Sequence, residues 1–313
     1  MSLLSVQHVD GLNTGFIILS AIAAVFFPFE LFIGSYIILG PLHYLTELNW
    51  LKDRRFFIAS DKRFLLLVAL SVLVTFIYLA SKVSVSWASH LSLSALILGG
   101  LLGSIALLAI RQMVYSIIGF FVLLFIGYFL TTMWKPIWLL ALFVPTVIHV
   151  YFFTLAFMWY GSLKVRSVLG YFNIILLIAA GVILLYFSPS QVSPSGTLGQ
   201  FMSISRFNSL SSTLLALSGH WRGVQSFLAF AYTYHYLNWF SKTSIIRWHE
   251  IPTGKWITVI VLWLSSVGLF LWDIRAGVFA LFGLSILHVV MEFPLNIRSI
   301  QYIAHRLMRL NQH

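Results

Sequence analysis

Two segments of this chain carry the pattern Leu-His-x-x-x-Glu: Leu42 to Glu47, and Leu287 to Glu292. Residues four apart share one face of an α-helix. Each segment therefore aims an imidazole and a carboxylate the same way, His43 with Glu47 and His288 with Glu292. Of the ten histidines, two more fall inside long apolar stretches. His149 is one; the other, His235, sits in the aromatic run Tyr232-Thr233-Tyr234-His235-Tyr236-Leu237-Asn238-Trp239. Imidazole with carboxylate suits iron, and less well zinc or manganese, better than a purely soft metal. With no cysteine in the chain, thiolate ligands and iron–sulfur clusters are excluded. The six residues His43, Glu47, His149, His235, His288 and Glu292 are the candidate metal ligands. They would hold one iron through the four histidines, with the two carboxylates orienting ring N–H groups, or two irons bridged by carboxylate. Tyr44, Tyr234 and Tyr236 are placed to donate hydrogen bonds to a bound oxygen species, and Asn238 is a further polar candidate beside them.

The elements carrying these residues must cross a membrane. Of 313 residues, 60% are apolar, 17% aromatic and 9% charged, where a soluble domain has about a quarter charged. A bilayer-crossing helix needs about 20 mostly apolar residues. Such stretches fall at 12–28, 29–50, 63–81, 91–110, 114–133, 137–160, 168–188, 213–240, 256–273 and 277–296. The expectation is an all-α polytopic bundle of about ten transmembrane helices, forming a single membrane domain over 1–313. Breaks are expected at Pro28 and between 110 and 114, and kinks at Pro41, Pro145 and Pro294. The Ser/Pro/Gly-rich stretch 188–212 reads as a flexible connection. No basic n-region precedes the first apolar run, so the N-terminus is expected to stay uncleaved.

The net charge of +11 is a topology signal. With ten spans, Lys52, Arg54, Arg55, Lys62, Arg63, Arg111, Lys164, Arg166, Lys242, Arg247, Lys255, Arg298, Arg306 and Arg309 fall on one side. Lys82, Lys135, Arg206 and Arg275 fall on the other, with Arg222 near a span end. The positive-inside rule then puts both termini in the cytoplasm, in a bacterial inner membrane or its equivalent. The basic excess meets anionic lipid headgroups; no nucleic-acid motif accompanies it. His43, His149, His235 and His288 all lie on even-numbered spans, each about 10–22 Å from the cytoplasmic charges at ~1.5 Å per residue. One layer in the cytoplasmic half would hold all four. His8, His305 and His313 are in tails, His90 in an outer loop, His249 in a cytoplasmic loop, and His220 near a span end beside Arg222.

Each residue also has a plainer reading. A single intramembrane histidine is often an interhelical hydrogen bond, the run around His235 is a candidate interfacial aromatic belt, and each His/Glu pair is a candidate intrahelical contact. Pairing on one helix does not cancel the cost of desolvating both groups, which for the pair together favours a metal or proton site.

An iron site walled by aromatics inside lipid implies dioxygen chemistry on an apolar substrate: hydroxylation, desaturation or oxidative cleavage. A hydroxylase or desaturase would draw on a cytosolic electron donor. The arrangement resembles the Brp/Blh-type β-carotene 15,15′-dioxygenases, compact many-span proteins with four histidines from separate helices around one iron. On that resemblance His43, His149, His235 and His288 are the ligands, and a carotenoid or other isoprenoid is the substrate. The clustered histidine boxes of membrane fatty-acid desaturases have no counterpart. The competing class is a proton-coupled secondary transporter in which Glu47 and Glu292 carry protons. Both motif helices are expected to run the same way, so an inverted repeat does not relate them. A haem bundle with His–His axial ligation is a third reading.

Overall fold

In the computed structural model, residues 3–54, 61–82, 93–133, 144–188 and 223–310 are described, together with Gly196 and Gly199. The expected loop 188–212 lies almost wholly outside them, as do His90, His220, His313, Arg55, Lys135, Arg206 and Arg222. Among the described residues every regular element is a helix.

Among the described residues six helices are long and apolar enough to cross a membrane: Val6–Phe26, Pro28–Lys52, Met113–Thr131, Val168–Phe187, Thr253–Trp272 and Ile274–Met308. Large apolar side chains stand exposed along them, among them Phe125 (68%), Val168 (84%) and Leu271 (79%). A water-soluble surface rarely shows such continuous apolar area; a lipid-facing one requires it. The chain is an integral membrane protein.

Each helix starts and stops for local reasons. The first, α1 (Leu3–Phe26), ends before Pro28, and α2 (Pro28–Gly34) takes that proline at its first turn, where the missing N–H costs nothing. A wider π-helical turn, π1 (Ser35–Leu39), follows, then α3 (Gly40–Arg54). Pro41 removes one donor here, and the Ile38 carbonyl accepts the Trp263 indole N–H at 2.8 Å. Next come α4 (Asp61–Lys82), α5 (Leu93–Ala109) and α6 (Met113–Met133), with the break between the last two where it was expected. A second π-helical stretch, π2 (Val144–Phe153), begins beside Pro145 and contains His149. It runs into α7 (Thr154–Val165). Ser167 caps α8 (Val168–Phe187) by accepting from Gly170 N–H. Then follow α9 (Val224–Ser241), the short α10 (Thr243–Ile246), α11 (Thr253–Trp272) and α12 (Ile274–Leu310).

The chain, read from sequence as one membrane domain, contains two compact units. The first comprises Met1–Thr46 and Val150–Leu281; the second comprises Glu47–His149 and Phe282–His313. In the first unit α9 is the central helix, packed on α1, α2, π1 and α8 and buried along nearly its whole length. The core of the second unit is apolar. Leu67, Leu70 and Val74 of α4, Leu96 and Leu107 of α5, and Phe120 of α6 meet Ile286, Val289, Val290 and Phe293 of α12. Helices α5 and α6 pack backbone to backbone: a Cβ on Gly127 would stand 2.6 Å from Gly99 Cα, and one on Gly99 would stand 2.5 Å from the Leu124 carbonyl. Small residues permit such close approach in lipid.

Candidate metal centre

The second unit gathers four of the six expected ligands. Helix α12 places His288 and Glu292 one turn apart, π2 supplies His149, and α3 supplies Glu47. The rings of His149 and His288 meet edge to face, 79° apart with centroids at 5.0 Å. Their Nε2 atoms are 3.1 Å from each other. Glu292 Oε2 lies 3.2 Å from His149 Nδ1 and 3.7 Å from His288 Nε2. Glu47 Oε2 lies 3.3 Å from the other nitrogen of His288, Nδ1. All four side chains are buried to 2% exposure or less. Neighbours Val289, Val290, Met291 and Phe293 face the apolar core, so the polar face of α12 is surrounded by hydrocarbon.

A cation would balance this cluster. Two carboxylates lie beside two imidazoles, and no Lys or Arg side chain is buried among the described residues. Two imidazole nitrogens 3.1 Å apart need a proton or a cation between them. Ligand atoms of His149, His288 and Glu292 all lie within 4.8 Å of one another, close enough to hold a metal ion. Two histidines and one carboxylate make the donor set of the facial triad that leaves open positions on non-haem Fe(II). Glu47 stands where an orienting carboxylate would, on the ring nitrogen of His288 remote from His149.

The other two expected ligands, His43 and His235, form a cluster in the first unit. Their rings are perpendicular (80°) with centroids 4.8 Å apart, and both are buried, at 1% and 7% exposure. Tyr236 and Trp239 face His43 at 5.2 and 5.4 Å. Tyr44 and Tyr236 share a hydrogen bond of 2.7 Å between hydroxyls. Gly40 makes room for that pair, since a Cβ there would stand 3.2 and 3.3 Å from the two oxygens. The Trp239 indole donates to Thr46 Oγ1 at 3.1 Å. Thr154 Oγ1 lies 2.8 Å from His235 Nδ1.

Tyr234 points elsewhere. Its hydroxyl reaches Asn13 Oδ1 at 3.1 Å and Met158 Sδ at 3.3 Å, within a polar network that also holds Ser241. Asn238 is buried, and its side-chain oxygen has no hydrogen-bond partner among the described residues. His249 and Glu250 lie on an exposed loop, and His8 and His305 are exposed too.

Sequence reasoning missed Thr154, Asn13 and Asn296. Asn296 follows Glu292 by four residues on α12 and is 1% exposed, with neither side-chain atom partnered among the described residues. Its spacing from His288 and Glu292 was a usable signal: three polar residues at intervals of four in an apolar helix. No signal marked Thr154, a residue type that membrane helices tolerate freely.

No family model, curated protein or solved structure matches the chain.

Proposed function

We propose that this protein is a membrane-embedded, non-haem iron-dependent oxygenase acting on a lipid or isoprenoid substrate. One observation carries the reading: His149, His288 and Glu292 stand together, buried, with ligand atoms within 4.8 Å of one another. Charge supports it, since a divalent cation would balance the two carboxylates, and no Lys or Arg side chain is buried among the described residues. Iron at such a triad supplies dioxygen activation. The chain's own residues do the rest. His149, His288 and Glu292 hold the ion, Glu47 orients the His288 ring, and the apolar core around α12 excludes water from reactive species. In the first unit, His43 and His235 form a second buried imidazole pair, walled by Tyr44, Tyr236 and Trp239. A centre near the cytoplasmic face would be open to a cytosolic electron donor, and the resemblance to the Brp/Blh-type enzymes makes carotenoids the first substrates to try.

The test is a lipid extract. The full chain is expressed in a β-carotene-producing host and in an ordinary host, beside the His288→Ala variant, and extracts are compared by mass. The reading expects a cleaved or oxygenated product present with wild type and absent with the variant. Identical extracts in both hosts would count against an oxygenase.

A second reading rests on the same 3.1 Å contact, which also suits a proton shared between two imidazoles. The protein would then be a proton-coupled transporter using Glu47 and Glu292. Metal-free protein that still drives pH-gradient-dependent uptake in proteoliposomes would favour it.

A further inference from the structure

The hydroxyl of Thr154 has one proton and two close neighbours. It lies 2.8 Å from the Val150 carbonyl and 2.8 Å from His235 Nδ1. A carbonyl oxygen only accepts, so the hydroxyl proton goes to Val150. The reverse assignment would aim that proton at His235 and leave two oxygens facing each other at 2.8 Å with no hydrogen between them. Thr154 Oγ1 must therefore receive a proton from His235 Nδ1–H. A neutral imidazole carries a single N–H, so Nε2 is left with its lone pair.

We infer that Thr154 is a positioning residue: it fixes His235 as the Nδ1–H tautomer, so that His235 binds a metal ion through Nε2. The arrangement has the logic of metal-bound histidines in general, whose second nitrogen donates to an oxygen acceptor that sets tautomer and ring angle. Here a hydroxyl takes the place usually held by a carboxylate or carbonyl. Its own geometry is fixed in turn by the bond to Val150. Thr154 is 2% exposed, so water does not compete for either contact. The perpendicular ring of His43, with its centroid 4.8 Å away, offers a second nitrogen ligand in the same unit. A metal at Nε2 would be a second ion beside the one assigned to His149, His288 and Glu292, and it rests on the reading of the chain as a metal-dependent enzyme; the tautomer itself does not.

Nuclear magnetic resonance of the full chain in lipid nanodiscs, with histidine side chains labelled with nitrogen-15 and metal removed by chelation, reads the tautomer directly. The His235→Gln variant identifies the signal. Wild type and Thr154→Ser are expected to show the Nδ1–H pattern, and Thr154→Val a shift toward Nε2–H. Wild type in the Nε2–H form, or Thr154→Val unchanged from wild type, would overturn the inference. A cobalt(II) titration of the same samples forms the second arm. Thr154→Val is expected to weaken the binding that depends on His235 by about 10–100-fold, with Thr154→Ser restoring it. Wild-type protein with the expected tautomer but no cobalt binding would remove the metal role and the function proposed above, and leave the tautomer assignment standing.

Discussion

Replacing Glu47 by Gln separates an orienting carboxylate from a ligand. The substitution keeps the side chain's shape and removes its charge. Glu47 Oε2 lies 3.3 Å from His288 Nδ1, while the nitrogen facing His149 is His288 Nε2. If the ion sits on the Nε2 side, Glu47→Gln leaves all three triad ligands in place. The loss is then that of an outer partner, about 10–100-fold in metal affinity, or about 1.4–2.8 kcal/mol. Stoichiometry should not change. Glu292→Gln removes a triad ligand and should cost considerably more. On metal-free protein the two substitutions should act alike. Each removes a buried negative charge where no Lys or Arg is buried among the described residues, so each should raise the metal-free melting temperature. The assay is a chelator-competition titration with Fe(II) or Co(II) in detergent, paired with thermal melts in the presence of chelator. Equal losses for the two variants would refute the distinction between Glu47 and Glu292. No loss for either would refute a metal role for both.

Two further predictions concern the scaffold. Gly127→Ala should lower the melting temperature, because its Cβ would stand 2.6 Å from the Gly99 backbone; overpacking of this kind costs about 1–3 kcal/mol, and an unchanged melt would show that α5 and α6 are not so closely packed. Tyr236→Phe removes the buried 2.7 Å hydrogen bond between the Tyr44 and Tyr236 hydroxyls, at a cost of about 0.5–1.5 kcal/mol. Adding Tyr44→Phe should recover part of that loss, and strict additivity in the double variant would mean that the hydroxyl pair is absent.

Much of the helical layout was legible because lipid imposes a simple rule on composition. The boundaries at Pro28 and between Ala109 and Met113 followed from one proline and one short polar break. Helix α12 ran further than its apolar stretch, to Leu310 instead of about 296. Asn296, Ser299 and Ile303 remain buried on one face of that extension while Arg298 and His305 turn outward, and a hydropathy window averages such a stripe away. The π-helical turns were invisible for a related reason: their hydrogen-bond register leaves no period in the sequence, although Pro41 and Pro145 marked their neighbourhoods. All six candidate ligands are buried. What the sequence could not supply was which ligand meets which. The His149–His288 contact joins residues 139 apart, and helix order decides such a contact. Neither His-x-x-x-Glu pair is therefore just a local repeat. Glu292 reaches His149 on another element, and Glu47 reaches His288.

The central claim is that His149, His288 and Glu292 hold a metal ion. Elemental analysis of detergent-purified protein from an iron-replete host tests it most directly, with wild type beside His149→Ala and His288→Ala, each confirmed folded by its thermal melt. Wild type is expected to carry stoichiometric iron at this triad, and both variants to lose it. Folded wild-type protein without a transition metal, or variants that retain the full amount, would contradict it.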